Sequence, residues 1–285
     1  MKADLFTLGA IFLWASLASL ATLLSNIPPF LLTGIGLIIG ALVSLPSLRY
    51  GLTPWKIPLK TLMIGVYGLF GYHLMLFLAL QTAPAVEANL VNYLWPLLIV
   101  LLSPIFTKSL SLNFRYVLAA ISGFAGAVIA ITYNGSGVES LSIEVGYLFA
   151  LAAAVIWATY SLATTKVPSF PTPAIGLFAL VSGVLAIGAH FVFEPAATIS
   201  TTDWLLLIVL GVGPLGGAFY LWDAALKIGD PRRIGLLAFL TPLLSTALLV
   251  LVSGNSLSWQ LLLATGLIVG GSLLGPRASS GSKTN

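Results

Sequence analysis

Cysteine is absent from the 285 residues, which excludes disulfides and thiol chemistry without fixing the compartment. Charge is almost as scarce: 7% of residues are charged, against about 25% in soluble domains. Long polar stretches are missing too. The gaps between apolar runs are short, those near 134–143 and 194–203 holding about ten residues, too few for a soluble catalytic domain. There is no His-Glu-x-x-His, no phosphate-binding glycine loop and no dinucleotide fingerprint, and the two histidines stand more than a hundred positions apart. Nucleotide hydrolysis, thiol catalysis and a resident metal are therefore not expected, and no cofactor is called for. The net charge of +4 comes from basic residues scattered singly between apolar runs, so no nucleic-acid partner is expected.

What remains is hydrophobic, at 59% of the chain, more than a soluble fold of this size can hide. Ten apolar stretches are near the roughly 20 residues needed to cross a bilayer. They are Leu5–Leu24, Pro29–Leu48, Thr61–Leu80, Ala85–Phe106, Phe114–Tyr133, Glu144–Thr165, Pro173–Phe193, Trp204–Leu226, Arg232–Val252 and Ser258–Gly275. Alternating polarity, the mark of a membrane barrel, is missing. The first stretch is too long and too closely followed by another to be a cleaved signal. The expected class is an all-α membrane protein of ten transmembrane helices. With ten spans, all twelve Lys and Arg fall on one side, while Glu87, Glu139, Glu144, Glu194 and Asp203 fall on the other. The positive-inside rule then makes both termini cytoplasmic. Asp223, four residues before Lys227, predicts an ion pair at the cytoplasmic end of the eighth span.

The chain also repeats. Gly65-Val66-Tyr67-Gly68-Leu69-Phe70-Gly71 matches Gly211-Val212-Gly213-Pro214-Leu215-Gly216-Gly217 at an offset of 146, and Pro96 matches Pro242 at the same offset. Trp14-Ala15-Ser16 and Trp157-Ala158-Thr159 align at 143. Two five-helix halves, residues 1–133 and 144–275, with a tail at 276–285, follow from this spacing. An odd helix count turns the second half upside down, the plan of many secondary transporters.

One stretch stands out: Glu87-Ala88-Asn89-Leu90-Val91-Asn92-Tyr93-Leu94-Trp95-Pro96. Amides in a bilayer are costly unless partnered, so Asn89 and Asn92 must face protein or a wet cavity. Tyr93 and Trp95 offer flat faces for an aromatic solute, and Asn offers donor and acceptor to a zwitterion. Helix–helix glue is the plainer role for the two amides. Pro96 and Pro242 free backbone carbonyls and mark candidate hinges. Tyr72 and His73 lie mid-span, where an imidazole is rare, and Phe77 is one turn further on. His190 is expected at the interface. Trp14 and Trp157 are too deep to be interfacial anchors, and Trp157, Tyr160, Ser161 and Thr164 share one helical face, read as a cavity wall.

The ten-span layout, the glycine-rich third and eighth spans and the proline-bearing fourth and ninth resemble the drug/metabolite transporter superfamily, more narrowly its EamA-type exporters. The second span, Leu31-Leu32-Thr33-Gly34-Ile35-Gly36, departs from the Arg-Phe that many relatives carry there. The Asn-, Tyr- and Trp-bearing fourth span is similar to that of family members that export aromatic amino acids. The resemblance implies a central cavity between the repeats and outward transport across a bacterial inner membrane. Its expected partners are amino acids and membrane lipid, with the chain acting as a monomer. The candidate substrate site is Trp14, Tyr72, His73, Asn89, Asn92, Tyr93, Trp95, Trp157 and Tyr160. No clear buried acid serves proton coupling, so a facilitator is favoured, with His73 as the one central candidate for carrying a proton. A multidrug carrier would need a deep acid and a nucleotide-sugar carrier deep Lys or Arg. An intramembrane enzyme would need paired reactive groups at one depth, and a receptor or scaffold would move no solute.

Overall fold

The structure, a computed structural model, describes residues 1–49, 51–132, 145–252 and 259–274. Glu139, Glu144, Arg277, Lys283 and the 276–285 tail lie outside the described residues, as do the span ends at Tyr133, Ser258 and Gly275. Among the described residues the regular structure is helical, with no strand. The apolar runs explain this, since a helix satisfies every backbone N–H and C=O within its own segment.

The helical runs are α1 (Lys2–Leu23), α2 (Pro29–Leu42), α3 (Leu59–Thr82), α4 (Ala85–Asn92 and Leu94–Phe106) and α5 (Phe114–Thr132). They continue as α6 (Val145–Ala163), α7 (Thr172–Phe193), α8 (Thr201–Ile228), α9 (Pro231–Ala238 and Leu240–Val252) and α10 (Trp259–Leu274). Seven helices among the described residues are long and apolar enough to cross a membrane: α1, α3, α5, α6, α7, α8 and, from Glu87 on, α4. Helix α2 and the Leu262–Gly271 part of α10 are apolar but shorter. Starts are set by local chemistry. Pro29 opens α2, Ser200 and Asp203 form a reciprocal capping box on α8, and the Asp230 side chain accepts from the Arg232 N–H at the start of α9.

The internal repeat reappears as geometry. Helix α3 widens into a π-turn at Tyr67–Gly71, and α8 does the same at Gly213–Gly217, 146 residues later. Helix α4 breaks at Tyr93 (φ −67°, ψ 6°) and α9 at Phe239 (φ −64°, ψ −14°), again 146 apart. The breaks fall three residues before Pro96 and Pro242. A proline ring clashes with the carbonyl four residues back, here those of Asn92 and Ala238, and disturbs the turn between.

Packing obeys the same exchange. Helix α1 packs on α8 as α6 packs on α3, while α2 meets α7, α4 meets α9 and α5 meets α10. Glycine makes the α3–α6 approach possible, and a further one between α8 and α2. A Cβ on Gly68 would lie 2.2 Å from the Tyr160 ring, so the π-turn of α3 sits flush on α6. A Cβ on Gly216 would lie 2.8 Å from the Gly40 Cα, where α8 and α2 touch backbone to backbone.

Candidate functional site

Between the two halves lies a cavity of about 400 Å³. Its walls come from α1, α2, α3, α4, α6, α8 and α9. Eight of the nine residues nominated from the sequence line it: Trp14, Tyr72, His73, Asn89, Asn92, Tyr93, Trp95 and Trp157. Tyr160 does not. It is 3% exposed and packs into the notch over Gly68, 5.3 Å from the Trp157 ring, so it backs the wall. Ser161 and Thr164 on the same face are also buried outside the cavity. Ser161 Oγ accepts from the Trp222 indole at 3.0 Å, and Thr164 donates to the Ser161 carbonyl. Pro96 and Pro242 are buried just beyond the breaks and do not line the space.

The cavity's inner end is an aromatic cluster. The Trp14 ring lies 6.3 Å from Trp95, 5.7 Å from Trp157, 5.9 Å from Phe219 and 5.2 Å from Trp222. Tyr72 stands 5.2 Å from Trp157. The edge and tilted geometries suit ring quadrupoles and add about 0.5–1.5 kcal/mol per pair beyond burial. Trp222 is only 1% exposed and closes the cluster from below.

Both π-turns are tied to cavity rings. The Trp14 indole N–H donates to the Pro214 carbonyl at 3.2 Å. His73 Nδ1 lies 2.6 Å from the Leu69 carbonyl. A carbonyl can only accept, so Nδ1 carries a proton, and in the neutral ring Nε2 is the acceptor. Tyr72 hydroxyl accepts from Asn92 Nδ2 at 3.2 Å. The polar lining is completed by Thr33, Thr241 and Ser245, and no Asp, Glu, Lys or Arg is among the lining residues. Such a space suits a solute with an aromatic body and no net charge.

The two ends of the bundle differ. The lining reaches Ala21, Leu32, Leu80 and Ala85, toward the end where α1 and α3 finish and α2 and α4 begin. At the opposite end polar contacts join the helices. Arg233 Nε meets Asp4 at 2.6 Å, joining α9 to α1. Lys227 meets Asp223 at 2.5 Å, the ion pair expected from the sequence, and also donates to Thr172 Oγ1 at 3.1 Å. At the end toward which the lining reaches, Glu194 accepts from the backbone N–H groups of Phe30 at 2.7 Å and Leu31 at 3.1 Å, capping α2. His190, in the last turn of α7, places Nδ1 2.9 Å from the same carboxylate and is 5% exposed.

Sequence reasoning missed Phe219, Trp222, Thr33, Thr241 and Ser245. The signal for two of them was in the repeat: the 146 offset carries His73 to Phe219 and Trp95 to Thr241.

Comparison with known proteins adds the following. The model of the EamA-like transporter family matches residues 1–132 and 144–274. The chain is 40% identical over 274 residues to the aromatic amino acid exporter YddG of Ancylobacter novellus, covering 95% of each. It is 27% identical over 290 residues to the aromatic amino acid exporter YddG of Escherichia coli, covering 96% of each. A probable amino-acid metabolite efflux pump of Salmonella typhimurium is 28% identical, with 87% of this chain and 85% of that one covered. A solved crystal structure superposes with a TM-score of 0.88 at 39% identity, covering 96% of this chain and 97% of that chain.

Proposed function

Because the chain belongs to the EamA-like transporter family, we propose that it exports aromatic and other large neutral amino acids from the cytoplasm across a bacterial inner membrane. In this reading ten spans form two inverted five-helix repeats, 1–133 and 144–275, with both termini cytoplasmic, and the chain acts as a monomer. The basic end, where Arg233–Asp4 joins α9 to α1 and Lys227–Thr172 joins α8 to α7, is then the cytoplasmic seal, and the cavity opens outward. Transport proceeds by alternating access, with the halves rocking about the π-turns and the breaks before Pro96 and Pro242. Substrate rings sit among Trp14, Tyr72, Tyr93, Trp95 and Trp157, while Asn89, Asn92 and His73 Nε2 take the polar end. Tyr160 holds Trp157 in place.

The observation that carries this reading is the aromatic-walled cavity with no Asp, Glu, Lys or Arg in its lining, which matches a neutral zwitterion with a large side chain. The exporter names of the relatives agree with it. A multidrug carrier for cations finds no carboxylate in the lining, and a nucleotide-sugar carrier finds no Lys or Arg. No Asp or Glu is among the lining residues to carry a proton, so facilitated flux down the substrate gradient is the favoured mode. The test is efflux from liposomes holding only the purified protein, preloaded with mixed amino acids and organic cations, with and without a pH gradient. Selective loss of aromatic and large neutral amino acids without a gradient is expected. Cation efflux alone overturns the substrate assignment, and a strict requirement for the gradient overturns the facilitative mode.

A further inference from the structure

Two buried oxygens on the cavity lining have no partner: Asn92 Oδ1 on α4 and Thr241 Oγ1 on α9. Their residues are 3% and 5% exposed. A buried, unpaired acceptor or hydroxyl is costly, and native proteins rarely keep one without a reason. Asn92 is half-satisfied, since its Nδ2 donates to the Tyr72 hydroxyl and so fixes which way the amide points. Thr241 has donor and acceptor capacity both unused.

Their positions add a second observation. Asn92 is the last residue of the first segment of α4, immediately before the break at Tyr93. Its backbone carbonyl also lacks the usual helical donor, because residue 96 is a proline without an N–H. Two oxygens that can only accept thus meet at one residue, at the negative end of a helical segment. Thr241 stands in the first turn of Leu240–Val252, just after the break at Phe239, at the positive end of its segment. The paired breaks therefore set an acceptor pole and a donor pole beside one cavity without Asp, Glu, Lys or Arg in its lining.

We propose that this pair reads the head group of the substrate: Asn92 accepts from the α-ammonium, and the Thr241 hydroxyl donates to the α-carboxylate. The assignment rests on the amino acid exporter reading above and deepens it. Both oxygens are shut from solvent in this conformation; the head group reaches them as the halves rock, and pairing with it relieves the cost of leaving them unpaired. One ligand then joins α4 to α9 and so bridges the two halves. The specificity that results is for a complete zwitterion; an amine without a carboxylate, or an acid without an ammonium, leaves one pole unpaired.

The experiment uses the purified full chain in liposomes and competes labelled tryptophan flux with tryptophan, tryptamine or indole-3-propionate. Wild type is expected to prefer tryptophan over either analogue by tenfold or more, roughly the size of one hydrogen bond to a charged group. Thr241→Val is expected to weaken tryptophan and indole-3-propionate while leaving tryptamine unchanged, and Thr241→Ser is expected to restore them. Asn92→Leu is expected to weaken tryptophan and tryptamine and spare indole-3-propionate. If both analogues compete as well as tryptophan in wild type, or if Thr241→Val weakens all three equally, the two oxygens serve packing and the proposal is overturned. A chain that moves cations but no aromatic amino acid overturns the exporter reading and the head-group assignment together; tryptophan flux with no head-group preference overturns the assignment alone.

Discussion

Adding a single methyl group at Gly68 tests the link from sequence through packing to the cavity. In Gly68→Ala the new Cβ would stand 2.2 Å from Tyr160 Cγ and 2.3 Å from its Cδ2. Carbon atoms rest at about 3.5–4.0 Å, so the ring must retreat by more than ~1 Å. Tyr160 is 3% exposed and has no open side; it lies against Trp157, 5.3 Å away, which walls the cavity. Overpacking of this kind costs about 1–3 kcal/mol. Thermal unfolding in detergent is expected to fall by several degrees, and the tryptophan concentration for half-maximal flux to rise as Trp157 is displaced. Gly188→Ala is the control, because nothing lies within 4 Å of its added Cβ, and alanine favours helix by up to about 1 kcal/mol. Tyr160→Leu in the Gly68→Ala background makes room and is expected to recover part of both losses. If Gly68→Ala is as stable and as active as Gly188→Ala, the close seat of the α3 π-turn on α6 is wrong.

Trp14→Phe keeps a ring in the wall but removes the N–H held by the Pro214 carbonyl at 3.2 Å. An interhelical bond of this kind is worth about 0.6–2 kcal/mol, so a change in turnover of a few-fold with near-normal apparent affinity is expected; a pure affinity loss would count against the π-turn as a moving part. The absence of native cysteine makes Ala21→Cys a clean reporter. It is expected to react with an impermeant maleimide from the periplasmic face, and labelling only from the cytoplasmic face would reverse the assigned opening. Arg233→Gln breaks a partly exposed pair, 29% and 25% exposed on its two sides, worth at most about 1 kcal/mol. It is expected to slow outside labelling of Ala21→Cys by up to about fivefold, by favouring the opposite conformation; faster labelling would contradict the seal.

Much of the fold was legible because membrane helices announce themselves by length and apolarity, and because the repeat holds one offset. The 146-residue spacing read from Gly65–Gly71 and Pro96 returns as two π-turns and two helix breaks. What was not legible was which neighbour a helical face meets. Trp157 and Tyr160 share a face by periodicity, yet one faces the cavity and the other a neighbouring helix, a distinction that depends on Gly68 across the interface. Thr241 was passed over because a hydroxyl in an apolar span is unremarkable alone; only its place opposite Trp95 in the repeat, and its unpaired oxygen, single it out.

Labelled tryptophan efflux from liposomes containing wild type, Trp95→Ala or Trp157→Ala, each checked for folded protein, asks whether the aromatic cavity is the substrate site. The Trp157 ring touches Trp14, Tyr72 and Phe219 at 5.7, 5.2 and 5.6 Å, so its loss opens the wall on several sides. Efflux by wild type, with each alanine variant needing about tenfold or more tryptophan for the same rate, is the expected outcome. Unchanged efflux in both variants would show that the substrate passes elsewhere.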